Sequence, residues 1–158
     1  MKNIEIERKY LVIPDLWENF KKPAGHLYIQ GYLCSDEIKT VRVRVANDLG
    51  TLTIKGKSFD FSRPEFEYVI PVTEAKEMLR LFAGPQIEKI RYKIPIMKHI
   101  WEVDEFLGTN TGLILAEIEL GQPEEVFELP EWIGAEVTGD KRYYNAYLVA
   151  NPFIKWKK

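Results

Sequence analysis

The chain has 158 residues, 46% hydrophobic, 29% charged and 13% aromatic. This is the make-up of one globular domain with a real core, and it excludes disorder, collagen-like repeats and coiled coil as descriptions of the whole. Lys and Arg number 22 against 24 Asp and Glu, a net charge of −2, so no overall excess of positive charge exists to hold nucleic acid and any anion site must be local. The single cysteine, Cys34, cannot form an internal disulfide and excludes Cys-rich zinc sites, which fits a reducing compartment. The segment from Met1 to Lys9 is too charged for a signal peptide, and no run of about 18 apolar residues occurs. The expectation is a cytoplasmic protein, monomer or homodimer, with neither nucleic acid nor membrane as a partner.

In chain order, period-two alternation predicts strands over 2–12, 26–35, 39–47, 50–57, 64–71, 86–95, 98–106 and 113–121. Asn47-Asp48-Leu49-Gly50 and Pro95-Ile96-Met97-Lys98 read as hairpin turns. Thr73, followed by Glu74 and Glu77 and an apolar stripe of Met78, Leu79 and Phe82, predicts an N-capped helix ending at Gly84-Pro85. A second helix is predicted over 141–150, closed by Asn151-Pro152, with shorter helical turns after Pro14 and Pro123. Lys155-Trp156-Lys157-Lys158 reads as a frayed tail. The class is therefore α+β with a majority of antiparallel strand.

The strands separate their residues unusually cleanly. Glu5, Glu7 and Lys9 share one face while Ile4, Ile6 and Arg8 share the other. Arg42 and Arg44 oppose Val41, Val43 and Val45. Glu65/Glu67, Lys89/Arg91/Lys93, Glu102/Asp104 and Glu117/Glu119 behave likewise. A sheet with one solvated face would also alternate in this way. Such faces usually mix signs, however, because like charges side by side repel. Here they recur at i and i+2 on strand after strand, which suggests a cation between acidic pairs and an oligoanion between basic ones. An eight-stranded antiparallel closed β-barrel with its charged faces inward, flanked by the helices, is the alternative arrangement.

Glu5-x-Glu7-x-Lys9 on a strand spaces its heads about 6.5–7 Å apart per step, suited to a hard cation beside a phosphate. Glu117-x-Glu119 supplies a second acidic pair, and Mg²⁺ or Mn²⁺ favours such carboxylate oxygens. Arg42, Arg44, Lys55, Arg63, Lys89 and Arg91 form the basic complement, forked Arg donors and compact Lys charges together suiting a chain of phosphates. No Walker loop or GxGxxG occurs, so side chains must hold the phosphates. His26 and His99 read as ordinary strand residues.

Together with Thr53-Ile54-Lys55-Gly56, Arg63-Pro64-Glu65-Phe66-Glu67, Glu88-Lys89-Ile90-Arg91-Tyr92, Glu102-Val103-Asp104, Ala116-Glu117-Ile118-Glu119 and Glu136-Val137-Thr138-Gly139-Asp140-Lys141-Arg142-Tyr143, these segments resemble the CYTH superfamily, the triphosphate tunnel metalloenzymes, in order over nearly the whole chain. The resemblance implies an eight-stranded antiparallel tunnel that binds a triphosphate and a divalent metal, Mg²⁺ or Mn²⁺. It implies metal-facing Glu5, Glu7, Asp104, Glu117 and Glu119, and phosphate-lining Lys9, Arg42, Arg44, Lys55, Lys89 and Arg91, to which the charge pattern adds Arg63 as substrate-binding. Gln30-Gly31-Tyr32-Leu33 resembles the segment that supplies a tyrosine partner to the ExExK lysine in short bacterial inorganic triphosphatases and thiamine triphosphatases, which makes Tyr32 and Lys9 the expected catalytic pair; cross-strand packing is the structural alternative for Tyr32. Gly139 departs from the acidic residue often found there. The expected activity is metal-dependent hydrolysis of a small triphosphate, inorganic tripolyphosphate first. An adenylyl cyclase acting on ATP, a thiamine triphosphatase and a non-catalytic polyphosphate or nucleotide-binding module are the alternatives.

Overall fold

A computed structural model describes residues 4–60 and 62–156. The alternating segments form β1 (Ile4–Val12), β2 (His26–Ser35), β3 (Lys39–Ala46), β4 (Leu49–Gly56), β5 (Ser62–Ile70), β6 (Ile87–Ile96), β7 (His99–Phe106) and β8 (Ile114–Glu119), with a short β9 (Ile133–Glu136). The strand order is β5-β4-β3-β2-β6-β7-β8-β1-β9, and β5 also pairs with β1. That last pairing joins Glu5 to Arg63 and closes eight antiparallel strands into a barrel. β8 takes one edge of β1, while the other edge is shared by β5 at residues 4–6 and β9 at residues 10–12.

Three apolar clusters hold the barrel, two outside it and one inside. Ala75 and Leu79 of α2 (Val72–Phe82) pack on Val43 and Val45 outside the barrel. Gly50 permits this close seat, because a Cβ there would stand 2.9 Å from both the Ala75 Cβ and the Ile70 carbonyl oxygen. On the opposite outer wall Trp17 of α1 (Pro14–Asn19), Trp101, Trp132 and Tyr10 meet mainly edge to face. Inside, Ile87, Phe106, Leu113 and Leu115 pack with Leu148 of α3 (Asn145–Ala150). Ile87, Phe106 and Leu115 lie in phase with Lys89, Asp104 and Glu117, so the inner face turns from charged to apolar toward one end. The barrel therefore has an apolar floor under α3.

Several expectations are corrected. β9 was not expected: it has four residues, too few to show a period. The N-cap of α2 is Pro71 and no side chain caps it, so Thr73 lies inside the helix. The expected helix over 141–150 is a 3-10 turn at Lys141–Tyr143 followed by α3, because Asp140 accepts from the Arg142 amide and fixes a separate cap. At Pro123 the chain makes one hydrogen-bonded turn, the Glu125 N–H donating to the Gln122 carbonyl at 3.2 Å, and does not go on into a helix there. Trp156 is docked, its indole against Tyr143 and Phe153 and its N–H donating to the Asn151 carbonyl at 2.9 Å. Residues 2–3 of the first predicted strand and 157–158 of the tail lie outside the described residues. No described helix is long and apolar enough to cross a membrane.

Candidate active site

Above the apolar floor, the inner faces enclose a cavity of about 740 Å³. β1 contributes Glu5, Glu7 and Lys9; β8 adds Glu117 and Glu119; β3, β4, β5 and β6 add Arg42 and Arg44, Lys55, Arg63, and Arg91. Register sets the neighbours: Glu7 lies opposite Glu119, Lys9 opposite Glu117, and Glu5 opposite Arg63. Because side chains alternate with period two, no one-residue slip could keep this set inside.

The charges form two linked groups. Glu5 accepts from Lys55 at 2.7 and 2.8 Å and from Arg63 Nε at 2.9 Å. Glu117 receives Lys9 at 3.0 Å and Arg91 at 3.5 Å. Arg91 also binds Glu102 and both oxygens of Asp104. Arg44 donates from Nε to Gln30 at 3.0 Å, and Arg42 to Thr53 at 3.1 Å.

These partners set the protonation. Burial pushes Glu5 up, but Lys55 and Arg63 outweigh it and hold the carboxyl at about 2. Burial likewise opposes ionisation of Glu117, yet Lys9 and Arg91 keep it well below the carboxylate range. Glu7 is the surplus acid: burial, then Glu117, then Glu5 drive it up to about 7. On the basic side, burial with Arg42 and Arg91 nearby lowers Arg44 to about 10. Lys89 is lowered to about 7 by burial and by Arg91 and Arg44, although its ammonium stands 2.6 Å from Asp104. Asp104 itself stays below its ordinary value despite full burial. The two directions agree once Arg91 is counted, since its fork already balances the carboxylate and Lys89 is the added charge.

All the expected site residues fall on the inner wall or at its floor, but three stand differently from expectation. Lys89 and Asp104 are 0% and 1% exposed and lie beneath the cavity lining, each engaged by the other. Tyr32 does line the cavity, but it makes no contact with Lys9 among the described residues. Its hydroxyl accepts from Gln30 Nε2 at 3.5 Å, and β2 is four strands from β1 in either direction around the barrel, which puts the two residues on opposite walls. Lys9 instead lies 5.3 Å from the Tyr144 ring centre and donates to the Tyr143 carbonyl at 3.3 Å. The sequence reading also missed Tyr28, which pairs with Lys89 in register and whose ring lies 5.0 and 5.2 Å from the Arg44 and Arg91 guanidinium carbons. Its place two residues before Gln30, in phase with Tyr32, was the available signal.

The CYTH domain matches residues 3–144. An inorganic triphosphatase of Acetivibrio thermocellus is 54% identical over 155 residues, 98% of each chain. The chain belongs to the CYTH family. A second CYTH relative, an inorganic triphosphatase of Nitrosomonas europaea, is 36% identical over 154 residues, 91% of this chain and 95% of that one. Among solved structures, that of an inorganic triphosphatase is similar with TM-score 0.63 at 31% identity, covering 92% of this chain and 97% of the other. A putative adenylate cyclase from Bacillus halodurans is similar with TM-score 0.60 at 18% identity, covering 76% and 82%, a likeness of fold alone.

The charge balance of this CYTH tunnel suits a divalent cation. A carboxyl driven up to about 7 by burial and neighbouring carboxylates is relieved when a cation binds beside it. The lining offers many carboxylate oxygens and no cysteine, a donor set for a hard cation. Among the described residues no three His, Cys, Asp or Glu side chains converge in a metal-holding group. Lys55 and Arg63 engage Glu5, while Lys9 and Arg91 engage Glu117. A bound cation would have to displace part of this internal pairing.

Proposed function

We propose that the protein hydrolyses inorganic triphosphate to pyrophosphate and orthophosphate, in a reaction that requires Mg²⁺ or Mn²⁺. One observation carries the reading: inside one closed barrel, a carboxylate wall on β1 and β8 faces a guanidinium wall on β3 and β6 across the cavity. The names of the two relatives at 54% and 36% identity support the same reaction. The walls differ in what they can do. Arg42 and Arg44 present forked donors to the phosphate oxygens, Arg91 adds its charge and the N–H groups that Asp104 and Glu102 leave over, and Lys55 and Arg63 continue the cationic lining toward Glu5. Glu5, Glu7, Glu117 and Glu119 would hold the cation, which when bound neutralises phosphate oxygens.

Hydrolysis adds water across one phosphoanhydride bond: the water oxygen joins the terminal phosphorus, and the bridging oxygen leaves with pyrophosphate. The cationic wall stabilises charge as it spreads over the phosphoryl oxygens. Lys89 and Asp104 act from beneath, Asp104 by orienting Arg91 and Lys89 by sharing the Asp104 carboxylate with it. Lys9 contributes from the acidic wall, and Tyr32 from the opposite one, where its hydroxyl hydrogen can turn to a phosphate oxygen. Phosphate release from tripolyphosphate, pyrophosphate, ATP and thiamine triphosphate, with each metal and with EDTA, tests the reading. The expected result is metal-dependent release, fastest from tripolyphosphate; formation of cyclic AMP without such release would overturn it.

A further inference from the structure

Where the 3-10 turn after Asp140 gives way to α3, the chain touches the cationic lining from inside the barrel. Asn145 is the first residue of α3, and it lines the cavity. Its Oδ1 stands 3.2 Å from Lys89 Nζ, whose other partner, Asp104 Oδ2, is at 2.6 Å. Lys89 is wholly buried and does not reach the cavity lining. Asn145 thus bridges a buried cation and the open chamber.

The orientation of this amide follows from its neighbour. Charged or neutral, Lys89 Nζ keeps a hydrogen for each of Asp104 and Asn145, so the carboxamide turns its oxygen toward it. The amide nitrogen is then aimed away from Lys89 with two hydrogens to donate. Among the described residues nothing accepts them. Tyr144 beside it has its ring 5.3 Å from the Lys9 ammonium and 5.8 Å from the Arg63 guanidinium carbon, so this short segment spans the chamber from β1 and β5 to Lys89 of β6.

We propose that Asn145 is a substrate-positioning residue, whose amide Nδ2 donates to an oxygen of the bound triphosphate while Lys89 fixes the amide's orientation. The inference rests on the triphosphatase reading above and deepens it. A neutral donor held in one orientation adds direction to a tunnel in which the Lys and Arg side chains supply charge. It also lets the buried Lys89 fix a ligand contact without leaving its place beside Asp104.

The test compares the full-length protein with Asn145→Asp and Asn145→Leu. Each is assayed for tripolyphosphate binding by calorimetry without divalent metal, where there is no turnover, for KM and kcat with Mn²⁺, and for melting temperature. Asn145→Asp keeps an acceptor for Lys89, removes the donor and brings a negative charge to the phosphate. Its Kd and KM should rise at least tenfold with the melting temperature held within about 2 °C, on a scale where 1 kcal/mol moves Tm by about 2–4 °C for a chain of this size. Asn145→Leu removes donor and acceptor without adding charge, and should raise Kd about threefold to tenfold. Wild-type binding in Asn145→Asp would overturn the proposal, as would a Kd that rises in both variants only in proportion to a shared loss of melting temperature. If the wild-type protein neither binds nor hydrolyses tripolyphosphate, the triphosphatase reading itself falls, an outcome visible before any variant is made.

Discussion

Arg91 grips Asp104 directly across the β6–β7 pairing, with Nε to Oδ1 and Nη2 to Oδ2 both at 2.7 Å and both residues buried. Lys89 reaches the same carboxylate, so one acid organises two cations of the phosphate wall.

Asp104→Asn should therefore act first on the fold. It leaves Arg91 and Lys89 buried beside a neutral amide, and breaking a buried pair from one side costs about 3–5 kcal/mol. We expect a lower denaturation midpoint with an unchanged denaturant slope, together with loss of tripolyphosphate binding. If Asp104 acts only as a metal ligand, the variant will instead keep its stability and lose Mn²⁺ affinity alone.

The metal-free protein should be least stable near pH 7. Glu7 is raised from 4.5 to about 7 on folding, so its contribution is complete below pH 4.5 and is lost as pH rises to about 7, an effect of about 3 kcal/mol. Glu65 and Glu119 are shifted in the same direction. Lys89 is lowered from 10.5 to about 7, so the folded state binds fewer protons between those values and stability recovers as pH rises through that window. Melting curves in EDTA from pH 5 to 10 should trace a trough; Glu7→Gln should flatten its acid limb and Lys89→Met its basic limb. A maximum near pH 7 would contradict the assignment.

Turnover should stop in EDTA and return with Mg²⁺ or Mn²⁺. Glu119→Gln removes one carboxylate that has no ion pair among the described residues, so it should cut turnover by about 10²-fold or more with little change in melting temperature. Because Glu7 must lose its proton to bind a cation, Mn²⁺ affinity should weaken about tenfold per pH unit below 7 and level off above it. Isothermal titration at pH 5.5, 6.5 and 7.5 measures this, and a flat response would remove Glu7 from the metal site.

Two tyrosines of β2 line the cavity where the sequence singled out one. Tyr28 is flanked by the Arg44 and Arg91 guanidiniums, so Tyr28→Leu should raise KM for tripolyphosphate by loosening both. Tyr32→Phe loses a single hydroxyl contact, the 3.5 Å bond from Gln30. It should lower kcat less than tenfold, since Lys9 is held by Glu117 and not by Tyr32. A loss of 10²-fold or more in Tyr32→Phe would return that phenol to a catalytic part.

Strand alternation was readable in the sequence because it is local: each residue's face depends on its neighbours at i±2, so Glu5, Glu7, Arg42, Arg44, Glu117 and Glu119 were placed on one inner surface before any pairing was known. The resemblance of the ordered motifs to the CYTH family then supplied closure of the barrel. Strand order was not local. That β2 pairs with β6, and that β1 lies between β8 and β5, depends on contacts between residues more than 50 apart in sequence, and this is what separates Tyr32 from Lys9 and gives Lys9 to Glu117. The apolar floor and the surplus charge of Glu7 were decided in the same way. Ile87, Phe106 and Leu115 read as ordinary strand residues until α3 packs Leu148 against them, and Glu7 is an ordinary carboxyl until folding buries it beside Glu117 without a full counter-charge.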